Sequence, residues 1–310
     1  MPFLSASSAK AQQGDRYDNF AAHTINAQQL AARLPDLLIK AQKIAATLTA
    51  GWHGRRRSGP GETFWQFRPF MAGEAANSID WRRSARDNHY YVREKEWEAA
   101  QTLWVWPDLT PSMAYTSSKQ HMDKASRAIV LALALAQCAA RSGERVGIPR
   151  LTSAKTGHSA AQNLAQALMR TLQNSTDNQR QALPETGMMK PQSQCVIISD
   201  FLDPVAQTQT WLHATVAKGV KGHLLQLLDP AEEQFPFAGR TEFTDPETGT
   251  RLLSGKAQNW QQAYQEQITR HKQQLRQLCT RSGWAYTLHH TNTSASTPML
   301  SLFAQLQQNT

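Results

Sequence analysis

The chain has 310 residues, of which 40% are hydrophobic, and it carries a formal net charge of +9. This content is enough to bury the core of one large domain, or of one medium domain with an appendage. Its three cysteines lie far apart and show no paired metal-type spacing, which argues against a disulfide framework and against a zinc site: Cys138, Cys195 and Cys279.

The N-terminal stretch predicts a cytoplasmic protein. It is polar and has no basic start followed by an apolar core, so the sequence shows no secretory signal. The most apolar segment, at residues 128–140, is bounded by Arg127 and Arg141 and is well below the roughly 20 residues that a membrane span needs. We therefore expect a buried helix there and no membrane span.

The first predicted element is an amphipathic helix at residues 27–48, with leucines at mostly helical spacing that is interrupted by Pro35. A loop rich in glycine and arginine follows at residues 51–61, and an aromatic- and arginine-rich stretch comes next. These changes in composition predict three parts, which are an N-terminal tail and helix at 1–50, a β-rich appendage at 51–100 and a larger domain at 101–310.

From residue 103 onward, strand-like runs alternate with helical patterns. Strands are predicted at 103–106, 145–151, 195–199, 222–228 and 285–289, and helices at 121–141, 160–172, 207–217 and 257–279. This alternation is typical of an α/β fold with a doubly wound, mostly parallel sheet. A hairpin around the turn-forming residues 245–249 is predicted on the sheet edge, and the polar loop between Leu172 and Gln194 is either a lid or a tolerated insertion.

Two of these predicted strands end on an aspartate. Asp108 follows the first strand and is itself followed by Thr110 and Ser112, whereas Asp200 follows the third strand. The carboxyl ends of neighbouring parallel strands meet where open α/β sheets bind ligands. Because Mg²⁺ prefers oxygen ligands and keeps several waters, these four side chains predict a magnesium site with a free position for a partner's carboxylate. The alternative is that both aspartates only form turns or helix caps.

The appendage combines one aspartate with several arginines. Asp80 is predicted to form ion pairs with arginines inside the appendage. Arg68, Arg82 and Arg86 either present a surface to an acidic partner or a phosphate, or lock the appendage onto the sheet domain. The locking interpretation is the favoured one, because arginines near carboxylates usually pair. Trp81, like the other tryptophans of this region, is predicted to be a core or domain-seam residue.

A set of spaced motifs runs through residues 59–113. The set comprises Gly59-Pro60-Gly61-Glu62-Thr63-Phe64, Arg68, Phe70, Gly73-Glu74, Ile79-Asp80-Trp81-Arg82, Ser84-Ala85-Arg86, Tyr91-Val92-Arg93-Glu94 and Asp108-Leu109-Thr110-Pro111-Ser112-Met113. Together these motifs resemble the bacterial family catalogued as domain of unknown function fifty-eight. The resemblance covers roughly residues 40–240 and implies a von Willebrand factor type A-like fold.

The sequence departs from the family pattern at four positions. Glu74 replaces the common aspartate, Phe70 replaces the frequent tyrosine, and an arginine often found near Asn77 is absent. Thr110 occupies the first hydroxyl position of the metal-binding motif. Threonine keeps an oxygen ligand and adds one methyl group, so the resemblance still implies metal binding.

The resemblance also implies a function. Members of the family typically lie beside a MoxR-type AAA+ ATPase and other von Willebrand factor type A proteins, which implies joint work in chaperone-like assembly or maturation. The sequence has no P-loop, no Gly-x-Ser-x-Gly elbow and no paired histidine and cysteine arrangement. We therefore predict a non-catalytic protein-binding adaptor without catalytic residues.

Two other functions are compatible with the sequence. A metal-dependent phosphohydrolase would use Asp108 as its nucleophile, although Thr110 stands where such enzymes usually place a second acid. A polyanion-binding protein would use the basic run at residues 55–57, but glutamates follow the basic stretches closely and no nucleic-acid motif is present. Nucleic acid is therefore not the expected partner.

Overall fold

The structure is a computed structural model that describes residues 27–50, 64–86, 89–95, 101–174 and 180–308. The described residues divide into two compact units. One lies within Gly51–Gln101, and the other combines helix α1 (Ala27–Ala50) with the residues from Thr102 onward. The N-terminal helix is therefore part of the larger unit, although the smaller unit separates the two in sequence.

The smaller unit contains an antiparallel pair of strands and a one-turn helix. Strand β1 (Phe64–Pro69) pairs with β2 (Tyr91–Lys95), and α2 (Trp81–Ser84) lies between them in sequence. The basic run at residues 55–57, which underlies the polyanion hypothesis, lies outside the described residues.

The larger unit is built on a parallel sheet of five strands. They are β3 (Thr102–Pro107), β4 (Arg145–Gly147), β5 (Gln194–Ser199), β6 (Lys221–Leu228) and β9 (Ala285–His290), in the spatial order β4-β3-β5-β6-β9. Because β3 has β4 on one side and β5 on the other, the winding of the chain reverses between β3 and β5. Every residue of β5 is buried, as expected for a parallel strand covered on both faces.

Two groups of helices cover this sheet. The helices are α3 (Lys124–Arg141), α4 (Ala160–Asn174), α5 (Val205–Ala217), α6 (Pro230–Gln234), α7 (Gln261–Arg281) and α8 (Ser296–Gln308). On one face, α1, α3 and α4 pack against one another; on the other, α5 packs against α7. The core of the second face joins side chains of the strands to those of the helices, such as Ile197, Leu212, Leu224 and Leu275.

Helix α1 confirms the amphipathic pattern and continues through Pro35. Proline removes one backbone hydrogen bond from a helix interior. One face of α1 packs against α3 and α4 and buries Leu34, Leu37, Ala41 and Ala45. This packing compensates for the backbone hydrogen bond that is missing at Pro35. The apolar segment at residues 128–140 is the buried part of α3, and no helix within the described ranges is long and apolar enough to cross a membrane.

The structure confirms the α/β class and the central parallel sheet, and it corrects two details. Strand β4 ends at Gly147 rather than at residue 151, because Pro149 cannot donate to a ladder and Arg150 has a left-handed backbone with φ of 67°. The predicted hairpin exists as β7 (Thr241–Thr244) and β8 (Arg251–Ser254), but it forms a separate two-stranded sheet. An aromatic cluster around Phe243, and not backbone pairing with the edge of the central sheet, holds it in place.

Candidate functional site

Asp108 directly follows β3, and its backbone N–H still donates to the carbonyl oxygen of Ile198 in β5, at 2.8 Å. Its side chain is completely buried. Oδ1 accepts hydrogen bonds from the backbone N–H and the hydroxyl of Thr110, at 2.8 and 2.6 Å, and Oδ2 accepts one from the hydroxyl of Ser199, at 2.6 Å. Burying a carboxyl group is costly unless its oxygens are hydrogen-bonded, so these three donors explain how Asp108 is accommodated.

Two hydroxyl groups stand beside this carboxyl group, at the start of a short 3₁₀ helix (Pro111–Ala114). The Oγ1 atom of Thr110 lies 3.2 Å from the Oγ atom of Ser112. Thr110 is buried and Ser112 is half-buried, so the pair extends from the interior toward the surface.

Asp200 follows β5, the neighbour of β3, and so lies at the same edge of the sheet. Its Oδ1 accepts a hydrogen bond from the N–H of Leu202, at 3.2 Å, and its Oδ2 accepts one from the ammonium group of Lys124, at 2.8 Å. The same ammonium group donates to Oε1 of Glu232, at 2.5 Å. Lys124 is thus a buried cation held between two buried carboxyl groups.

Two helix caps direct Lys124 and Glu232 toward each other. Asp123 caps α3, because its side chain accepts hydrogen bonds from the N–H and the hydroxyl of Ser126, at 2.7 and 2.8 Å. Asp229 caps α6 in a capping box, in which Oε2 of Glu232 accepts from the N–H of Asp229, at 2.8 Å. Glu232 therefore uses one oxygen for its own helix and the other for Lys124.

Negative charge exceeds positive charge in this buried group. Asp108, Asp200 and Glu232 supply three carboxyl groups, whereas Lys124 supplies one ammonium group. Burial, with a further contribution from the charge of Asp200, raises the pKa of Asp108 to about 7. Burial also raises the pKa of Glu232 to about 7, although Lys124 opposes the shift. An additional cation at this edge would therefore be electrostatically favoured.

The raised pKa of Asp108 predicts how stability depends on pH. Between its ordinary pKa of 3.8 and about 7, the folded protein binds a proton that the unfolded chain releases, so stability falls as the pH rises through this range. Asp108→Asn removes this proton. We expect the free energy of unfolding of the variant, relative to the wild type, to rise by roughly 2.5 kcal/mol from pH 5 to pH 8.

Urea unfolding of both proteins in EDTA at several pH values measures this difference. Taking the difference removes the contribution of histidines that titrate in the same range in both proteins. A difference that does not change with pH would contradict the raised pKa of Asp108.

The structure brings together the four residues that the sequence predicted for a metal site: Asp108, Thr110, Ser112 and Asp200. It also shows the turn contacts of the alternative interpretation, because Asp108 and Asp200 each accept an N–H from the residue two positions later. In the part of the chain that the structure describes, no group of three or more His, Cys, Asp or Glu side chains could hold a metal ion. A cation site here would therefore depend on the two hydroxyls.

The polar loop between Leu172 and Gln194 borders this site. Its residues 175–179 lie outside the described ranges. Beyond them, the guanidinium group of Arg180 donates to the carbonyl oxygen of Leu109, at 3.2 Å, and the indole of Trp106 donates to the carbonyl oxygen of Ala182, at 3.0 Å. The loop thus contacts the segment that carries Asp108, and its role as a lid stays a prediction.

In the smaller unit, Arg68 and Asp80 have separate roles. The guanidinium group of Arg68 forms two hydrogen bonds to the carboxylate of Glu74, one of them 2.9 Å long. Asp80 instead caps α2, where its side chain accepts from the N–H of Arg83, at 3.0 Å. The predicted pairing of arginine with a carboxylate therefore occurs inside this unit, with Glu74.

Trp81 is not a core residue of the smaller unit. It is 60% exposed and packs edge-on against Tyr90, which is equally exposed. A one-turn helix beside two short strands offers too little surface to bury an indole. Arg82 and Arg86 are exposed as well, so they stay candidates for contact with a partner.

Sequence reasoning missed four residues that shape the site: Lys124, Ser199, Glu232 and Glu247. The position of Lys124 could have indicated its role. A cation in the first turn of a helix is unfavourable with respect to the helix dipole, so a lysine there suggests a nearby carboxylate partner. Glu232 gave a signal through the capping box that begins at Asp229. Glu247 gave none, since its contact is with the backbone N–H of Ser112, 135 residues away.

Comparisons with known proteins agree with the resemblance. The model of a family described as "Protein of unknown function DUF58" matches residues 66–274. Uncharacterized proteins of Mycobacterium tuberculosis and Mycobacterium bovis are 24% identical over 244 residues, which is 73% of this chain and 73% of each relative.

A solved structure, titled "Crystal structure of conserved hypothetical protein BatB from Bacteroides thetaiotaomicron", aligns with a TM-score of 0.37 and 12% identity. It covers 67% of this chain and 100% of that chain, and a score of this size does not establish a common fold. The match to the family model covers more than half of the chain. The protein therefore belongs to the family of proteins of unknown function DUF58.

Proposed function

We propose that this protein is a non-catalytic adaptor that binds a partner protein through a divalent cation, Mg²⁺, at the carboxyl end of the parallel sheet. The observation that carries the proposal is the pair of hydroxyls of Thr110 and Ser112 beside the carboxyl groups of Asp108 and Asp200. These side chains follow β3 and β5, where the winding reverses, which is the usual ligand-binding position of an open α/β sheet.

The oxygen atoms at this edge fit a hard cation. Neighbouring ligands of an octahedral Mg²⁺ at about 2.1 Å lie about 3.0 Å from each other, and the hydroxyl oxygens of Thr110 and Ser112 are 3.2 Å apart. When ionised, the carboxyl groups of Asp108, Asp200 and Glu232 carry more negative charge than the ammonium group of Lys124 offsets, so a divalent cation would be attracted to them. Thr110 and Ser112 would hold the cation, while Asp108 and Asp200 would balance its charge.

When bound, magnesium would supply free coordination positions for an acidic side chain of the partner. The protein's own residues keep the donors in place. Ser199 donates to Asp108 and Lys124 donates to Asp200, so neither carboxyl group has to be reoriented before a partner binds. Such buried supporting contacts favour binding because they reduce the loss of side-chain freedom.

The proposal includes a MoxR-type AAA+ ATPase and other von Willebrand factor type A proteins as partners in chaperone-like assembly or maturation. Family resemblance alone supports this part. It is consistent with the sequence, which has no P-loop and would depend on a partner for ATP hydrolysis.

The burial of Asp108 argues for binding and against a phosphohydrolase. A nucleophilic carboxylate has to reach a phosphorus atom. Both oxygens of Asp108 instead accept hydrogen bonds from Thr110 and Ser199, and the side chain is 0% exposed.

The proposal predicts magnesium-dependent capture of the partner. In a pull-down with a purified MoxR-type ATPase from the same bacterium, we expect wild-type protein to retain the ATPase in Mg²⁺ and to lose it in EDTA. The Asp108→Asn variant should not retain the ATPase in either condition, because the substitution removes a negative charge from the site. The fold should be kept, since the amide can still form hydrogen bonds with Thr110 and Ser199. Asp36→Ala, on the exposed side of α1, is the matched control. Equal capture by wild type and Asp108→Asn would contradict the proposal.

A further inference from the structure

The β7–β8 hairpin places the carboxyl group of Glu247 against the candidate site. Oε1 of Glu247 accepts a hydrogen bond from the backbone N–H of Ser112, at 3.0 Å. Ser112 also carries one of the two hydroxyls of the site. A carboxylate from a remote segment of the same chain is therefore held beside the hydroxyl pair.

The folded hairpin directs Glu247 to this position. At the tip, the side chain of Asp245 accepts hydrogen bonds from the N–H of Glu247, at 2.9 Å, and from the hydroxyl of Thr248, at 2.7 Å. Next to the turn, Phe243 of β7 is buried in an aromatic cluster that includes Tyr264 of α7. Because the turn and the adjoining strand are both fixed, the contact with Ser112 is a built feature of the fold.

This position is electrostatically unfavourable for a carboxylate. The carboxyl groups of Asp200, Asp203 and Asp245 lie near enough to act electrostatically on Glu247, whose Oε1 accepts a hydrogen bond from the backbone N–H of Ser112. One neutral donor thus holds Glu247 among three like charges. A divalent cation bound there would turn this repulsion into attraction.

We propose that Glu247 is an internal ligand of the site, and that its carboxylate takes the place that a partner's acidic side chain takes in the proposed function, on which this inference rests. The two carboxylates are the same chemical group and meet the same hydroxyl-bearing loop. The β7–β8 hairpin is therefore a built-in competitor, and a partner binds the cation by displacing Glu247.

Binding of Mn²⁺ tests this inference, because Mn²⁺ prefers the same oxygen ligands and its relaxation of water protons reports how many waters it keeps. Calorimetric titration should show that Glu247→Gln weakens Mn²⁺ binding about tenfold. The relaxation enhancement of the bound ion should rise in this variant, because a water replaces the lost carboxylate. Asp203→Asn is the matched control, since it removes a nearby negative charge from an exposed side chain. It should change affinity far less and leave the water number unchanged.

The outcomes separate this inference from the proposed function. Absence of saturable Mn²⁺ binding by the wild type would overturn both. Wild-type binding that is lost in Asp108→Asn but unchanged in Glu247→Gln would overturn the role of Glu247 and leave the metal site intact. A weaker affinity of Glu247→Gln without a gain of bound water would also overturn the role of Glu247 as a ligand. The carboxylate would then act on the ion only through its charge and not by coordination.

Discussion

Replacing Lys124 with methionine is expected to lower the free energy of unfolding of the larger unit by about 3–5 kcal/mol, the usual cost of removing one partner of a buried ion pair. Lys124 is 0% exposed, and its ammonium group lies 2.8 Å from Asp200 and 2.5 Å from Glu232. Methionine keeps most of the length of the apolar stem, so the change removes charge and hydrogen bonds more than volume. Two carboxyl groups would then remain buried without their cation.

Urea unfolding at pH 7.5 in EDTA, followed by circular dichroism, measures this effect. Lys119→Met is the matched control, because Lys119 is exposed and only a few residues away. The loss should shrink toward pH 5, because burial already raises the pKa of Glu232 to about 7 and its carboxyl group would bind a proton in the folded variant once the ammonium group is gone. A loss no larger than that of Lys119→Met would show that Lys124 is not an essential counter-charge.

Replacing Gly222 with alanine is expected to cost about 3 kcal/mol or more, at the upper end of overpacking effects. Gly222 lies in β6 opposite Cys195 of β5. An added Cβ would overlap with the carbonyl oxygen of Cys195 and would lie 2.7 Å from two ring carbons of Trp284. Trp284 is buried and its indole N–H donates to Val220, so neither the ring nor the strand can move away cheaply.

Gly255→Ala provides the comparison, because a Cβ at Gly255 would meet no atom within 4 Å. Thermal unfolding of both variants should show a large decrease in melting temperature for Gly222→Ala alone. Equal melting temperatures would mean that β5 and β6 can separate locally, which their paired and buried register does not suggest.

Local signals in the sequence were enough to predict where Asp108 and Asp200 lie in the fold. Asp108 and Asp200 each end an apolar run, and strands that alternate with helices place such residues at one edge of a parallel sheet. The turn at residues 245–249 was predicted for the same reason, since turn-forming residues act locally.

The remaining contacts depend on which elements meet in space, and periodicity does not contain that information. Lys124 and Glu232 are 108 residues apart, and each belongs to a helix cap that is complete without the other. The hairpin illustrates the same limit. Its turn is encoded locally, but its separation from the central sheet depends on the cluster that Phe243 forms with Phe235, Phe237 and Tyr264 of α7.

The position of α1 has a consequence for the order in which the protein folds during synthesis. The buried face of α1 packs on α3 and α4, but the whole smaller unit and β3 are translated before α3, and α4 ends only at Asn174. Protein synthesis adds about 5–20 residues per second, so α4 is complete roughly 6–25 s after α1 has been made. Until α4 has been made, the leucines and alanines on that face of α1 lack the surface that buries them in the folded protein.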